Sequence, residues 1–178
     1  MMAQWVNNMN VEALAKTRED VARGEFPEVK VFSEGGEWIF TDEGQFRGTI
    51  EFPGGTLTLV SDQPPPTGGR GKAPNPIQYC AFAVAACYAT TLVTIASAEG
   101  IKINSLKVRA NVEVNMKAVT EIEEGPVTKG VNLEVEISAE APPEKLQQLK
   151  EAADQKCPAA YTIQNVVPFS STLKIKPS

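Results

Sequence analysis

The run IQYCAFAVAACYATTLVTIASA, from Ile77 to Ala98, carries no charged side chain. Pro74-Asn75-Pro76 leads into it and Gly100 follows it. Pro76 suits the first turn of a helix and a glycine just past the last apolar residue suits its end, so the run reads as one long helix. About 20 residues could cross a bilayer. This run, however, is rich in Ala, Thr and Ser and poor in Leu, which makes membrane insertion marginal. A helix that is apolar on every side and lined by small residues belongs at the buried centre of a soluble fold.

Downstream, Leu106, Val108, Ala110, Val112, Val114 and Met116 alternate with Lys107, Arg109, Asn111, Glu113 and Asn115. That is the period of a half-buried strand. Glu121 to Thr128 forms an acidic turn, and Val131, Leu133, Val135 and Ile137 repeat the alternation on a return strand. Pro142-Pro143 opens a second helix with Leu146, Leu149, Ala152 and Ala153 on one side, and a last strand is expected near Ser171 to Lys176. Upstream, Asn10 can cap a first helix from Val11 to about Ala22, closed by Gly24. Val29-Lys30-Val31, Trp38-Ile39-Phe40, Phe46 to Phe52 and Thr56 to Val60 then read as a meander, punctuated by Gly35-Gly36 and Pro53-Gly54-Gly55. The fold class is α+β, with antiparallel sheet, a long buried central helix and a second helix. It is read as one domain over 1–178: an N-terminal helical extension (1–24), a β-meander (28–62) and a helix-strand-strand-helix-strand core (76–178).

With 178 residues, 42% hydrophobic and 22% charged, the chain has the composition of an ordinary globular protein. Its net charge of −5 argues against nucleic acid, which needs a basic stripe. Met1-Met2-Ala3-Gln4-Trp5 has neither the basic nor the apolar region of a signal peptide, and three cysteines at unpatterned spacing do not form a secreted disulfide framework. A reducing cytoplasm is the expected compartment.

There is no histidine, which removes the imidazole-based nucleophile–base pairs. Thiol chemistry remains. Cys87 lies mid-helix, gains little from the helix dipole and reads locally as a small core residue whose burial would raise its pKa. Cys157, in Cys157-Pro158-Ala159-Ala160, can sit at the N-cap of a new helical turn whose amides favour a thiolate; a helix-ending core cysteine is the competing reading. Cys80, about 10 Å from Cys87 along the helix axis, is too far for a disulfide and is assigned to the core. Glu121, Glu123 and Glu124 read as a solvated turn, and Gly68-Gly69-Arg70-Gly71-Lys72 lacks the full spacing of a phosphate-binding loop.

Pro74-Asn75-Pro76 before the long helix, Ala85-Ala86-Cys87 within it, Gly100-Ile101 after it and the Cys157-Pro158 pair together resemble the OsmC/Ohr family of organic hydroperoxide reductases. The Asn10-Val11-Glu12-Ala13-Leu14 leader looks like that of a longer subgroup with an N-terminal helix. The resemblance implies an intertwined homodimer in which Cys87 is the peroxidatic and Cys157 the resolving cysteine. It also implies an antioxidant role, with an external dithiol, a lipoylated protein in some members, as reductant and with no metal or organic cofactor. The family's active-site arginine comes from the N-terminal sheet, where Arg47 is the candidate and Arg70 the second choice. One departure stands out. Strong peroxidases of the family carry a glutamate directly after the Asn-Pro pair, and here that position is Ile77. The alternative function is therefore a non-catalytic protein of the same fold, binding a small apolar ligand or acting in a stress response.

Overall fold

The structure, a computed structural model, describes residues 4–176. It opens with a miniature hairpin, β1 (Trp5–Val6) and β2 (Met9–Asn10), closed by Asn7 and Asn8 with φ of 50° and 63°. Both positions need left-handed backbone, which asparagine tolerates better than most residues. The Asn7 side chain then ties this hairpin to the rest of the chain. Its amide donates to Ser97 Oγ (3.1 Å) and the Ile101 carbonyl (2.8 Å), and its oxygen accepts from the Ile103 amide (2.8 Å). Asn10 caps α1 (Val11–Ala22) by accepting from the Ala13 amide, and Gly24 follows the helix at φ 71°.

The meander is β3 (Gly36–Trp38), β4 (Phe46–Phe52) and β5 (Gly55–Ser61), antiparallel in that order. Val29-Lys30-Val31 is not part of it. Val29 lies in a bend, Lys30 and Val31 form no strand, and both valines are exposed, since no neighbouring strand pairs with them. Buried Asp62 follows β5 and accepts from the amides of Arg70 and Lys72, which folds residues 63–72 back on themselves. Gly69 is required there, since a Cβ would stand 1.8 Å from the Gln63 carbonyl oxygen.

The central helix α2 (Pro76–Ala98) begins with a reciprocal cap between Asn75 and Gln78 and ends where the Ile101 amide reaches back to the Ala96 carbonyl. By length and composition it could cross a membrane. Here its second half packs against β6 (Ile103–Val114), α4 (Pro143–Lys156) and α5 (Pro158–Gln164), burying Tyr88, Leu92, Ala96 and Ser97. β6 pairs antiparallel with β7 (Thr128–Ala139), Val108 opposite Val135 and Ala110 opposite Leu133. The apolar faces of both strands turn toward the core formed by Tyr88, Leu92, Ala153, Cys157 and Ala160. β6 stops two residues short of Met116, because the Asn115 side chain caps a single turn, α3 (Met116–Val119). The strand expected at Ser171–Lys176 is not formed. Residues 166–176 form no regular element and pair with no strand, with Val166, Phe169, Leu173 and Ile175 exposed, since a strand needs a partner edge and none among the described residues takes it.

Candidate active site

Two helices bring the cysteines together. Cys87 comes from the middle of α2 and Cys157 from the joint between α4 and α5, where the chain leaves one helix and Pro158 starts the next. The Cys157 thiol donates to Cys87 Sγ across 3.5 Å. Sulfurs in a disulfide are about 2.05 Å apart, so a closure of about 1.5 Å would link them. Cys157 has no exposed surface, while Cys87 is partly open to solvent. The asymmetry suits an outer thiol that meets a small molecule and an inner one that meets only the first.

Electrostatics favour the thiol form of Cys87. Burial pushes its pKa up, and the neighbouring Cys157 adds to the rise. The backbone of Ala159, whose N–H can serve a thiolate, pulls the other way. The first-turn amide expected to serve Cys157 therefore bears on Cys87, and the Cys157 side chain makes no capping bond. No guanidinium or ammonium is among the groups shifting Cys87. Arg47, the second residue of β4, stands opposite Val60 and Glu37 in the sheet and pairs with Glu43 at 2.8 Å. Arg70 is exposed and bears on Asp42, lowering its pKa after the larger effect of Lys72. Thus the chain joins Cys87 to Cys157 and leaves Arg47 with an acidic partner of its own.

Cys80 is exposed rather than in the core. It shares a helix face with Cys87, but the covering elements bury only the second half of α2; Phe82 is 73% exposed and Ile77 42%. Between the start of α2 and the meander lies a largely apolar cleft of about 560 Å³, bordered by Trp38, Phe46, Ile50, Leu59, Pro76 and Tyr79.

Sequence reasoning missed a polar contact beside the thiols. Tyr88, the residue after Cys87, is 1% exposed and donates to Asp154 Oδ1 at 2.7 Å, with the Lys150 carbonyl 3.2 Å away. Burial first, and then Asp154, push the Tyr88 pKa well above the ordinary tyrosine value. The hint in the sequence is a tyrosine within the charge-free run, since its hydroxyl must find a partner when buried.

The sequence profile of the family described as OsmC-like protein matches residues 69–172, more than half of the chain. The chain belongs to the OsmC-like protein family. The OsmC-like architecture recurs in an OsmC-like protein from Mycoplasma pneumoniae, 21% identical with a TM-score of 0.59, over 77% of this chain and 89% of that one. It recurs also in an organic hydroperoxide resistance protein OsmC, a predicted redox protein, from Legionella pneumophila. That protein is 22% identical with a TM-score of 0.50, over 76% of this chain and 92% of that one. At these identities the likeness speaks to the OsmC-like fold. No curated protein sequence matches the chain.

Proposed function

We propose that this OsmC-like protein is a thiol-dependent peroxidase that reduces organic hydroperoxides in the cytoplasm. The observation that carries the reading is the 3.5 Å approach of an enclosed thiol to a partly open one. The Cys87 thiolate attacks the distal peroxide oxygen, the O–O bond breaks, and the alkoxide leaves as an alcohol after taking a proton. Cys87 is then a sulfenic acid. The Cys157 sulfur displaces its hydroxyl as water, giving a Cys87–Cys157 disulfide, and an external dithiol, of the lipoylated kind or another, returns both thiols. These steps need no metal or organic cofactor.

Because burial holds Cys87 as a thiol, the first step calls for a cation, and Arg47 is assigned that role. A homodimer is the setting proposed for it. The uncovered half of α2 and the unpaired apolar tail are surfaces that a second copy would bury.

The test is single-turnover consumption of tert-butyl hydroperoxide. Cys87→Ser should abolish it, since a hydroxyl of nearly equal volume forms no anion at neutral pH. Cys157→Ser should complete one turnover and leave Cys87 as a sulfenic acid that over-oxidises with excess peroxide. Peptide maps of oxidised wild type should show Cys87 joined to Cys157 within one chain. Equal, slow consumption by wild type and Cys87→Ser would end this reading and leave the ligand-binding one, for which the apolar cleft bordered by Trp38, Pro76 and Tyr79 is the natural place.

A further inference from the structure

Beside the sulfur pair runs a second bridge between the same two helices. Cys87 faces Cys157, and one residue on, Tyr88 reaches Asp154, three residues before Cys157. The Asp154 carboxylate is held from its other oxygen by Lys150 Nζ at 2.7 Å. Its backbone carbonyl accepts from the Gln164 side chain at 3.3 Å, which also bonds the Ala160 carbonyl and so ties α5 to the end of α4. Elsewhere α4 buries Leu149 and Ala153, apolar side chains that fix distance but permit sliding along the helix, and pairs Lys145 with Glu99 past the far end of α2, a partly exposed ion pair that holds only loosely.

We infer that Tyr88 is a positioning residue: through its hydrogen bond to Asp154 it sets the position of α4 against α2 and keeps Cys157 within reach of Cys87. Tyr88 touches no reacting atom. Closing the sulfurs from 3.5 Å demands a particular position of the α4–α5 joint, and an error of about 1 Å at a reacting pair can cost up to a hundredfold. A short hydrogen bond from a rigid ring to a carboxylate supplies that position with little freedom to drift. The coupling is reciprocal, so a disulfide between the cysteines in turn favours the Tyr88–Asp154 bond.

The inference is about the resolving step of the peroxidase reading, but its central test requires no peroxide. In glutathione redox buffers one glutathione disulfide oxidises the two thiols and leaves two glutathiones, and the equilibrium gives the effective concentration of Cys87 toward Cys157. Tyr88→Phe removes only the hydroxyl oxygen and should lower that value by ~tenfold, with the reduced protein still folded by circular dichroism. Asp154→Ala should do the same. Asp154→Asn, which keeps an acceptor while discarding the charge shared with Lys150, should stay near wild type.

An effective concentration in Tyr88→Phe within twofold of wild type overturns the inference. So does an Asp154→Asn value as low as that of Asp154→Ala, which would assign the effect to charge. With hydroperoxide, Tyr88→Phe should form the sulfenic acid at the wild-type rate, close the disulfide ~tenfold more slowly and over-oxidise more readily. A wild type inert to hydroperoxide, combined with a lowered effective concentration in Tyr88→Phe, would sink the peroxidase reading and leave the positioning role in place.

Discussion

The Tyr88–Asp154 bond has a thermodynamic signature at high pH that can be worked out in advance. A buried hydrogen bond to a charged acceptor contributes about 1.5 kcal/mol, so reduced Tyr88→Phe should be less stable than wild type by that amount at pH 8. Tyrosine in the unfolded chain ionises near pH 10, whereas burial and Asp154 hold the folded Tyr88 phenol protonated well above that. Raising the pH past 10 therefore stabilises the unfolded wild type by ionisation and lowers its folding free energy. The loss is about 0.4 kcal/mol at pH 10 and about 1.4 kcal/mol at pH 11. Phenylalanine has no such loss. The 1.5 kcal/mol deficit of the variant should thus shrink to about 1.1 at pH 10 and nearly vanish at pH 11. Urea unfolding of both reduced proteins at pH 8, 10 and 11 measures this. With a slope near 2 kcal/mol/M, the midpoints should differ by about 0.75 M at pH 8 and nearly coincide at pH 11. Every other ionisable group is common to both proteins and cancels in the difference. A gap that stays constant with pH would mean that the folded hydroxyl titrates normally, and the reasoning about its burial and partner would fail.

Asn7→Ala should cost about 3 kcal/mol in urea unfolding, from three lost hydrogen bonds and a left-handed alanine. Asn8→Ala, which shares only the left-handed backbone, should cost about 1 kcal/mol, and equal losses would deny the Asn7 side chain its anchoring role. If Arg47 is the proposed cation, Arg47→Gln should move the pH profile of Cys87 alkylation to higher pH, leaving burial and Cys157 to favour the thiol against only the Ala159 backbone; an unchanged profile would pass the role to Arg70. Light scattering should return twice the 19.2 kDa chain mass at micromolar concentration, and the chain mass itself would count against the dimer.

Much of the OsmC-like fold is written locally. The Asn75–Gln78 cap, Pro76 and Gly100 fix both ends of α2, and strict alternation fixes β6 and β7, because each signal depends on residues within a turn or a strand of one another. Where such a pattern needs a distant partner, reading it fails: Val29 to Val31 and Ser171 to Lys176 alternate like strands yet lie unpaired. Cys80 differs from its expected core position for a related reason. Helical periodicity says which face a residue shares, but not how far along the helix the covering elements extend. The two cysteines were legible through the family resemblance, and their approach follows from the packing of α4 and α5 on α2. Asp154, read alone, is one more charged residue on a helix flank; only that packing reveals that it faces a buried phenol.

The two sulfurs that meet are 70 residues apart in the chain, at opposite ends of a segment that holds the second half of α2, then β6, β7 and α4. A covalent link there would close most of the OsmC-like core into a ring and deprive the unfolded chain of much of its freedom. For a loop of that length the loop-closure entropy amounts to about 4 kcal/mol, a large share of the net stability of a typical domain. Oxidation would thus set the mechanical resilience of the molecule as well as its chemical state, and the reductant that opens the ring would return a chain far easier to unfold.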